Sequence, residues 1–195
     1  MEFAERARSI VAERWGRAIY AGGDDVMALL PPGQAISTAQ ALSEAFRQIV
    51  GGTASAGLAI AHHLYPLDAV LQAAREAEHR AKDMEGKNSL CVQALKRSGE
   101  PLEVRSHWQN VLALFEDLRG WFANGALSSR FAYEAATNLT VLEGEMVRSE
   151  LKRLLHRHRD TKKPTPPEPA ALAEQLAAWA QNLPGEAEEL SRWIL

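Results

Sequence analysis

Apolar residues recur every three or four positions in three stretches of the first hundred residues, and this spacing predicts amphipathic helices. In the first stretch, Phe3, Ala7, Ile10 and Val11 fall on one helix face. The second stretch ends at Gly51-Gly52, a pair that stops a helix. The predicted helices cover residues 1–15, 37–50 and 66–85.

Short apolar runs bounded by glycine, proline and aspartate separate these helices, and they predict β-strands. "RAIYA" and "VMALLP" face each other across Gly22–Asp25 as a hairpin. "TASAGLAIAHH" and "NSLCVQAL" predict two more strands. Mixed strands and helices indicate an α+β domain over residues 1–101.

The pattern changes after "KRSGEP", and from about residue 107 to 159 the apolar spacing is helical throughout. Residues 161–169, "TKKPTPPEP", are too rich in proline for helix or sheet and are predicted to be a linker. We therefore expect an all-helical domain over residues 102–195.

Composition narrows the class of protein. Hydrophobic residues make up 46% of the 195 residues, enough for one large core or two small domains, and the net charge of −3 gives no global attraction to nucleic acid or anionic membrane. A single cysteine, Cys91, excludes an internal disulfide and suits a reducing compartment. No apolar run is long enough to span a bilayer, so we expect a cytoplasmic protein without a membrane partner.

The predicted hairpin carries two adjacent carboxylates at its tip, Asp24 and Asp25. Glycine and aspartate are ordinary turn residues, and an unremarkable turn is one interpretation. The other is a metal site, because a divalent cation removes the repulsion between neighbouring carboxylates. Mg²⁺ needs only one or two protein carboxylates when a nucleoside triphosphate supplies the other oxygens.

The order and spacing of four segments favour the second interpretation. "YAGGDDVMALLP", "ASAGLAIAHH", "REAEHRAKDMEGKNSL" and "LKRSGEP" together resemble the second palm domain of the large subunit of type III CRISPR effector complexes, in its Cmr-type branch. The resemblance covers residues 1–101, and the helical remainder is similar to that subunit's C-terminal domain in position and character. It implies a ferredoxin-like palm, related to GGDEF-type cyclases and polymerase palms.

The resemblance also implies an activity. The intact subunit of this family binds ATP with Mg²⁺ or Mn²⁺ and makes cyclic oligoadenylate once target RNA is bound. Asp24 and Asp25 are then the metal ligands and catalytic residues, and Gly22 and Gly23 make room for the nucleotide. Lys82 and Lys87 match basic residues that contact phosphates in related cyclases, with a spacing one residue longer; lysines at a helix C-terminus also favour the helix dipole without any ligand.

The palm of this family begins with a central strand that carries a further aspartate pair, whereas this chain begins in the helix. We therefore expect the first strand to be missing, a strand edge to be left unpaired, and the chain to be a fragment that is inactive alone. The resemblance implies as partners the other effector subunits, including the small helical subunits, and the guide and target RNA.

Two alternatives stay open. One is a non-catalytic module that bridges subunits, and the other is a different GGDEF-like nucleotide cyclase. Val26 stands where the cyclase signature has an acidic residue, which disfavours a diguanylate cyclase. The basic stretch from Met146 to Lys163 predicts either an ordinary solvated helix face or a contact with RNA or an acidic neighbour.

Overall fold

Helices and strands alternate through the first part of the chain in a computed structural model. The structure describes residues 2–96, 101–163 and 167–181, and for residues 110–116 it describes the backbone alone. The chain divides into two compact units, residues 1–108 and 109–195. We refer to them as the first and second units.

The elements of the first unit confirm the α+β class. In chain order they are α1 (Glu2–Glu13), β1 (Arg17–Gly22), β2 (Asp25–Leu29), α2 (Pro32–Val50), β3 (Ala56–Ala61), α3 (Leu67–Lys82), β4 (Ser89–Leu95) and β5 (Leu102–His107).

The strands form two sheets. β1 and β2 pair antiparallel as a two-stranded hairpin, with Gly22 opposite Asp25 at the tip and a register shift between Ala18 and Tyr20. β3 pairs parallel with β4, and β4 pairs antiparallel with β5. Because parallel strands need a crossover connection, α3 lies between β3 and β4 in the chain.

Helix packing fixes both sheets. α1 buries Phe3 and Ile10 against α2, where the Phe3 and Phe46 rings meet edge to face at 5.1 Å, and Val26 of β2 packs on the same cluster. α3 lies directly on β3 at Gly57, where an added Cβ would stand 2.1 Å from the Glu78 nitrogen. Only a glycine permits this approach of helix to strand.

Helix α2 begins at Pro32, five residues before the predicted start at Ser37. Proline suits the first turn because its missing N–H has no helical partner there. The hydroxyl groups of Ser37 and Thr38 donate to the Gln34 carbonyl from within the helix. The predicted start at Ser37 was wrong because hydroxyl residues bond back along a helix as well as capping it.

Strand β5 corrects the predicted domain boundary. Residues 102–107 were assigned to the helical domain. Every one of these six residues instead pairs with a residue of β4, so they belong to the first unit. Their alternation of exposed and buried positions follows the period of a strand. The strand has only six residues, so the long helical pattern that follows it in the sequence hid this alternation. The division therefore falls after Trp108.

The second unit consists of helices in the part that the structure describes. They are α4 (Trp108–Asn124, whose first residue belongs to the first unit), α5 (Arg130–Leu139), α6 (Glu145–His158) and α7 (Pro169–Ala180). Leucines of three helices form its core: Leu139, Leu151, Leu154, Leu155, Leu172 and Leu176. Of the predicted linker, residues 164–166 lie outside the described residues, and Pro169 is the first residue of α7.

Among the described residues, no helix combines the length and the apolar character needed to cross a membrane.

Candidate functional site

The two aspartates project into solvent from the tip of the β1–β2 hairpin. Gly23 has φ +62°, a left-handed conformation that glycine adopts without strain, and it turns the chain between the strands. The side chains of Asp24 and Asp25 are exposed and make no hydrogen bond or ion pair with residues in the described part of the chain. Both carboxylates are therefore available to a ligand.

Gly22 and Gly23 differ in their surroundings. A Cβ added at Gly22 would stand 2.6 Å from the hydroxyl oxygen of Tyr20, two residues earlier in the same strand. The room that this glycine provides is thus taken by Tyr20 in the structure. Around Gly23, by contrast, nothing lies within 4 Å of an added Cβ.

A cleft of about 620 Å³ opens beside the hairpin, entirely within the first unit. Consecutive residues Asp25–Ala28 of β2 and Ala56–Leu58 of β3 line it. Successive strand residues point to opposite faces of a sheet, so a surface lined by every residue is the strand edge. Neither edge has a strand partner among the described residues, since β2 pairs with β1 and β3 pairs with β4.

Four of the six predicted site residues meet at this cleft, and Gly22 and Gly23 do not line it. Asp24, Asp25, Lys82 and Lys87 all line it. Lys82 comes from the last turn of α3 and Lys87 from the turn that leads into β4. The fold therefore brings together residues that lie up to 63 positions apart in the chain.

Lys82 is held by a neighbour that we did not predict as a site residue. Its ammonium forms an ion pair with Glu78, one turn earlier on α3. This hydrogen bond raises the pKa of Lys82 above its ordinary value, and the charges of Asp25 and Asp24 raise it further. Lys82 is thus electrostatically coupled to the hairpin tip and stays charged at neutral pH.

Lys87 sits in a strained turn. Gly86, Lys87 and Asn88 all have positive φ, at +75°, +53° and +53°. This conformation costs a non-glycine residue roughly 1–2 kcal/mol. The Lys87 carbonyl accepts a hydrogen bond from His107 Nδ1 at 3.0 Å, and the Trp108 backbone N–H donates to the Asn88 carbonyl at 3.3 Å. Residues at the end of β5 therefore hold the turn in place.

Three further residues of the cleft were not predicted. Arg75 and Glu78 lie on α3, and Trp108 donates its indole N–H to the Ala54 carbonyl at 2.8 Å. The signal for the first two was present in the spacing: Leu71, Arg75, Glu78 and Lys82 follow the i, i+4, i+7, i+11 period of one helix face. Trp108 gave no signal, because its role depends on β5, which we did not predict.

The donor set fits a magnesium ion that arrives with a nucleotide. No group of three or more histidine, cysteine or acidic side chains suited to a metal occurs among the described residues. The hairpin supplies two carboxylates, and Mg²⁺ commonly takes one or two protein carboxylates and completes its shell with phosphate oxygens and water. Asp24 and Asp25 are the residues that would hold it.

The basic helix of the second unit is more neutral than its sequence suggests. Its arginines pair with glutamates of the same unit: Arg148 with Glu145 and Glu174, Arg153 with Glu150, Arg157 with Glu134, and Arg159 just beyond it with Glu168, at nitrogen–oxygen distances of 2.7–3.6 Å. Of the two predicted interpretations, these pairs favour an ordinary solvated face.

Comparison with known families identifies the first unit. Residues 1–91 match the model of the Cas10/Cmr2 second palm domain. Over these residues, the chain is similar to that palm domain. The matched range contains the hairpin, the helix with Lys82 and the turn with Lys87, so this palm domain holds every predicted site residue.

A curated relative extends the similarity. The chain is 34% identical to the CRISPR system Cmr subunit Cmr2 of Pyrococcus furiosus over 65% of its own length. That alignment covers only 16% of the relative. The chain thus corresponds to a small part of a Cmr-type large subunit.

Proposed function

We propose that this chain is the nucleotide-binding palm portion of a type III CRISPR large subunit, acting in antiviral defence in the cytoplasm. Asp24 and Asp25 bind Mg²⁺ or Mn²⁺ together with the triphosphate of ATP, and Lys82 and Lys87 bind the phosphates. Gly23 leaves the hairpin tip open to the ligand.

One observation carries this proposal: two exposed carboxylates, which have no hydrogen-bond or ion-pair partner in the part of the chain that the structure describes, share a cleft with both lysines. Adjacent carboxylates repel each other, and a divalent cation offsets that repulsion. The ammonium groups act as point charges on the phosphate oxygens. Together they provide for both parts of a metal–nucleotide complex.

The chemistry of the intact subunit is nucleotidyl transfer. A ribose hydroxyl oxygen of one ATP attacks the α-phosphorus of another and gives up its proton to water, the bond to the β-phosphate breaks, and pyrophosphate leaves with its electron pair. Asp24 and Asp25 would hold the metal, which would supply positive charge against the negative charge that develops on the phosphate oxygens. Lys82 and Lys87 hold the triphosphate in line for attack, and cyclic oligoadenylate is the product once target RNA is bound.

Other parts of the complete subunit have a structural place at this cleft. The facing edges of β2 and β3 present backbone N–H and C=O groups that have no strand partner among the described residues and that an additional strand would satisfy. The guide–target RNA and the other effector subunits, including the small helical subunits, are the partners of the whole assembly. The second unit contributes a helical surface to it.

Calorimetric titration of the chain with ATP tests the proposal. We expect weak binding that requires Mg²⁺ or Mn²⁺ and that Asp24→Ala combined with Asp25→Ala abolishes. Asp68→Ala combined with Asp83→Ala is the matched control, because it removes two aspartates of the same unit that do not line the cleft.

Equal heats from the wild-type chain and the hairpin double variant would contradict the proposal and favour a module that only bridges subunits. Tighter binding of GTP than of ATP would favour a different GGDEF-like cyclase.

A further inference from the structure

Arg75 is a charged residue of the cleft. Its side chain lines the cleft from α3, and it makes no ion pair or hydrogen bond within the described ranges. Three other arginines of the first unit are engaged: Arg8 donates to the Ala21 carbonyl, Arg47 to Glu44 and Arg80 to Glu103. A guanidinium carries five N–H donors, so Arg75 is equipped for a ligand.

Its position along α3 distinguishes Arg75 from the two lysines. Arg75 and Lys82 lie on the same helix face, seven residues and therefore about 10 Å apart along the axis. Lys82 feels the charges of Asp24 and Asp25, so its end of the cleft is the end for metal and phosphates. Side chains on a helix lean towards its N-terminus, so both side chains lean the same way and the separation of Arg75 from Lys82 is kept.

The cleft also supplies an apolar wall. Leu42 and Phe46 of α2, with Leu71 and Ala74 of α3, line the same cleft as Arg75. A nucleotide whose phosphates lie at Lys82 and the aspartates extends by roughly this length to its base. A flat, weakly polar base suits an apolar wall, whereas a phosphate does not.

We propose that Arg75 stacks on the purine base of the bound nucleotide and closes the cleft over it. The guanidinium is planar and weakly hydrated, and it stacks on aromatic faces, including those of nucleic acid bases. This contact depends on the plane of the side chain more than on its charge. The inference rests on the proposed function, because it takes the position of the phosphates from it.

Two titrants separate the base from the phosphates. The full chain is titrated with Mg-ATP and with Mg-tripolyphosphate, which offers the same phosphates without a base. We expect Arg75→Ala to weaken Mg-ATP binding about tenfold, an effect of about 1.4 kcal/mol. Tripolyphosphate binding should stay unchanged.

Two further variants define the contact. Arg75→Lys keeps the charge and loses the plane, so it should bind Mg-ATP about as weakly as Arg75→Ala. Arg17→Ala is the matched control. Arg17 is exposed on β1, makes no hydrogen bond or ion pair with the described residues and does not line the cleft. Its affinity for both titrants should equal that of the wild-type chain.

Several results would overturn the inference. An equal loss for tripolyphosphate, or recovery of affinity in Arg75→Lys, would make Arg75 a phosphate ligand. Wild-type affinity for Mg-ATP in Arg75→Ala would remove it from the site while leaving the proposed function intact. A wild-type chain that binds no Mg-ATP would overturn the proposed function and this inference together.

Discussion

The cleft of the first unit and helix α6 of the second unit both carry closely spaced charges, but they use them differently. In the cleft, Asp24, Asp25 and Arg75 have no ion-pair partner among the described residues. On α6, Arg148 and Arg153 are paired with carboxylates of the same unit. Of the charged side chains compared in these two regions, those without an ion-pair partner are therefore the ones in the cleft.

This difference shows that a high density of charged residues does not mean that the charges are available to a ligand. The stretch around α6 is the most basic part of the sequence, yet its pairs are side chains that stabilise one another on a solvated surface. The hairpin has only two acids, and they form no ion pair with the described residues, although the charge of Lys82 acts on them from across the cleft. Charged side chains that lack an ion-pair partner in a cleft are a better indicator of function than a charged run.

The largest effect on stability is expected from a substitution that prevents the close contact between α3 and β3. Gly57→Ala places a Cβ 2.1 Å from the Glu78 nitrogen and 2.5 Å from the Ala74 carbonyl oxygen. Neither backbone atom can turn aside, so we expect a loss of about 3 kcal/mol in the free energy of unfolding. Denaturant unfolding measures this loss.

Hydrogen exchange then sharpens the comparison between the units. Gly57→Ala should lower protection in β3 and α3 and leave α5 and α6 protected. Gly33→Ala is the control, because nothing lies within 4 Å of its added Cβ. Equal loss of protection in both units would show that the cleft and α6 do not respond separately.

A smaller effect is expected in the turn before β4. Lys87→Gly relieves the positive φ of Lys87 and should stabilise the fold by roughly 1 kcal/mol. The same change removes the ammonium that we propose binds phosphate, so Mg-ATP affinity should fall about tenfold, or about 1.4 kcal/mol. Thermal unfolding and calorimetry measure the two effects.

Asn88→Gly is the matched control for Lys87→Gly. Asn88 has the same φ of +53° and carries no charge, so its replacement should stabilise the turn without weakening nucleotide binding. If both variants lost affinity equally, the shape of the turn and not the Lys87 charge would be responsible.

The smallest effect concerns an ion pair of α6. A hydrogen bond from Arg153 lowers the pKa of Glu150 below its ordinary value of 4.5, and one from Asn138 lowers it further. A carboxyl group with a lowered folded-state pKa stabilises the fold above its unfolded pKa and loses that contribution as pH falls. Glu150→Gln should therefore cost about 0.5 kcal/mol at pH 7, and its difference from wild type should shrink below about pH 4.5.

Urea denaturation at pH 7 and pH 3.5 checks this effect. Glu145→Gln is the comparison variant, since that glutamate pairs with Arg148 while its side chain is 79% exposed. It should show a smaller change at both values. A pH-independent cost for Glu150→Gln would mean that shape and not charge matters at this position.

Hydrophobic periodicity in the sequence predicted most of the fold of the first unit. It indicated α1, the β1–β2 hairpin, β3, α3 and β4, because each has a clear helical or strand period. It failed at Leu102–His107, where six residues of strand precede a long helical pattern, and at Pro32, where proline begins a helix instead of only ending a strand. Short strands and helix starts depend on pairing and capping partners that the local sequence does not contain.

The candidate site was predicted in part. The local motifs around Asp24, Asp25, Lys82 and Lys87 indicated these residues, and the fold places all four at one cleft. Glu78, Arg75 and the contact of Trp108 with Ala54 were missed. Helix spacing puts Arg75 and Glu78 on the face of Lys82, but only the position of α3 on β3 turns that face towards the hairpin.

The sequence by itself determined the turn chemistry and the apolar periods, because these depend on neighbouring residues along the chain. The tertiary structure alone decided which charges stay free. Arg153 forms an ion pair with Glu150, one turn away on the same helix. Asp24 and Asp25 line a cleft and form no ion pair with the described residues. Charge availability depends on distances across the fold, since electrostatic and hydrogen-bonding interactions act through space and not along the chain.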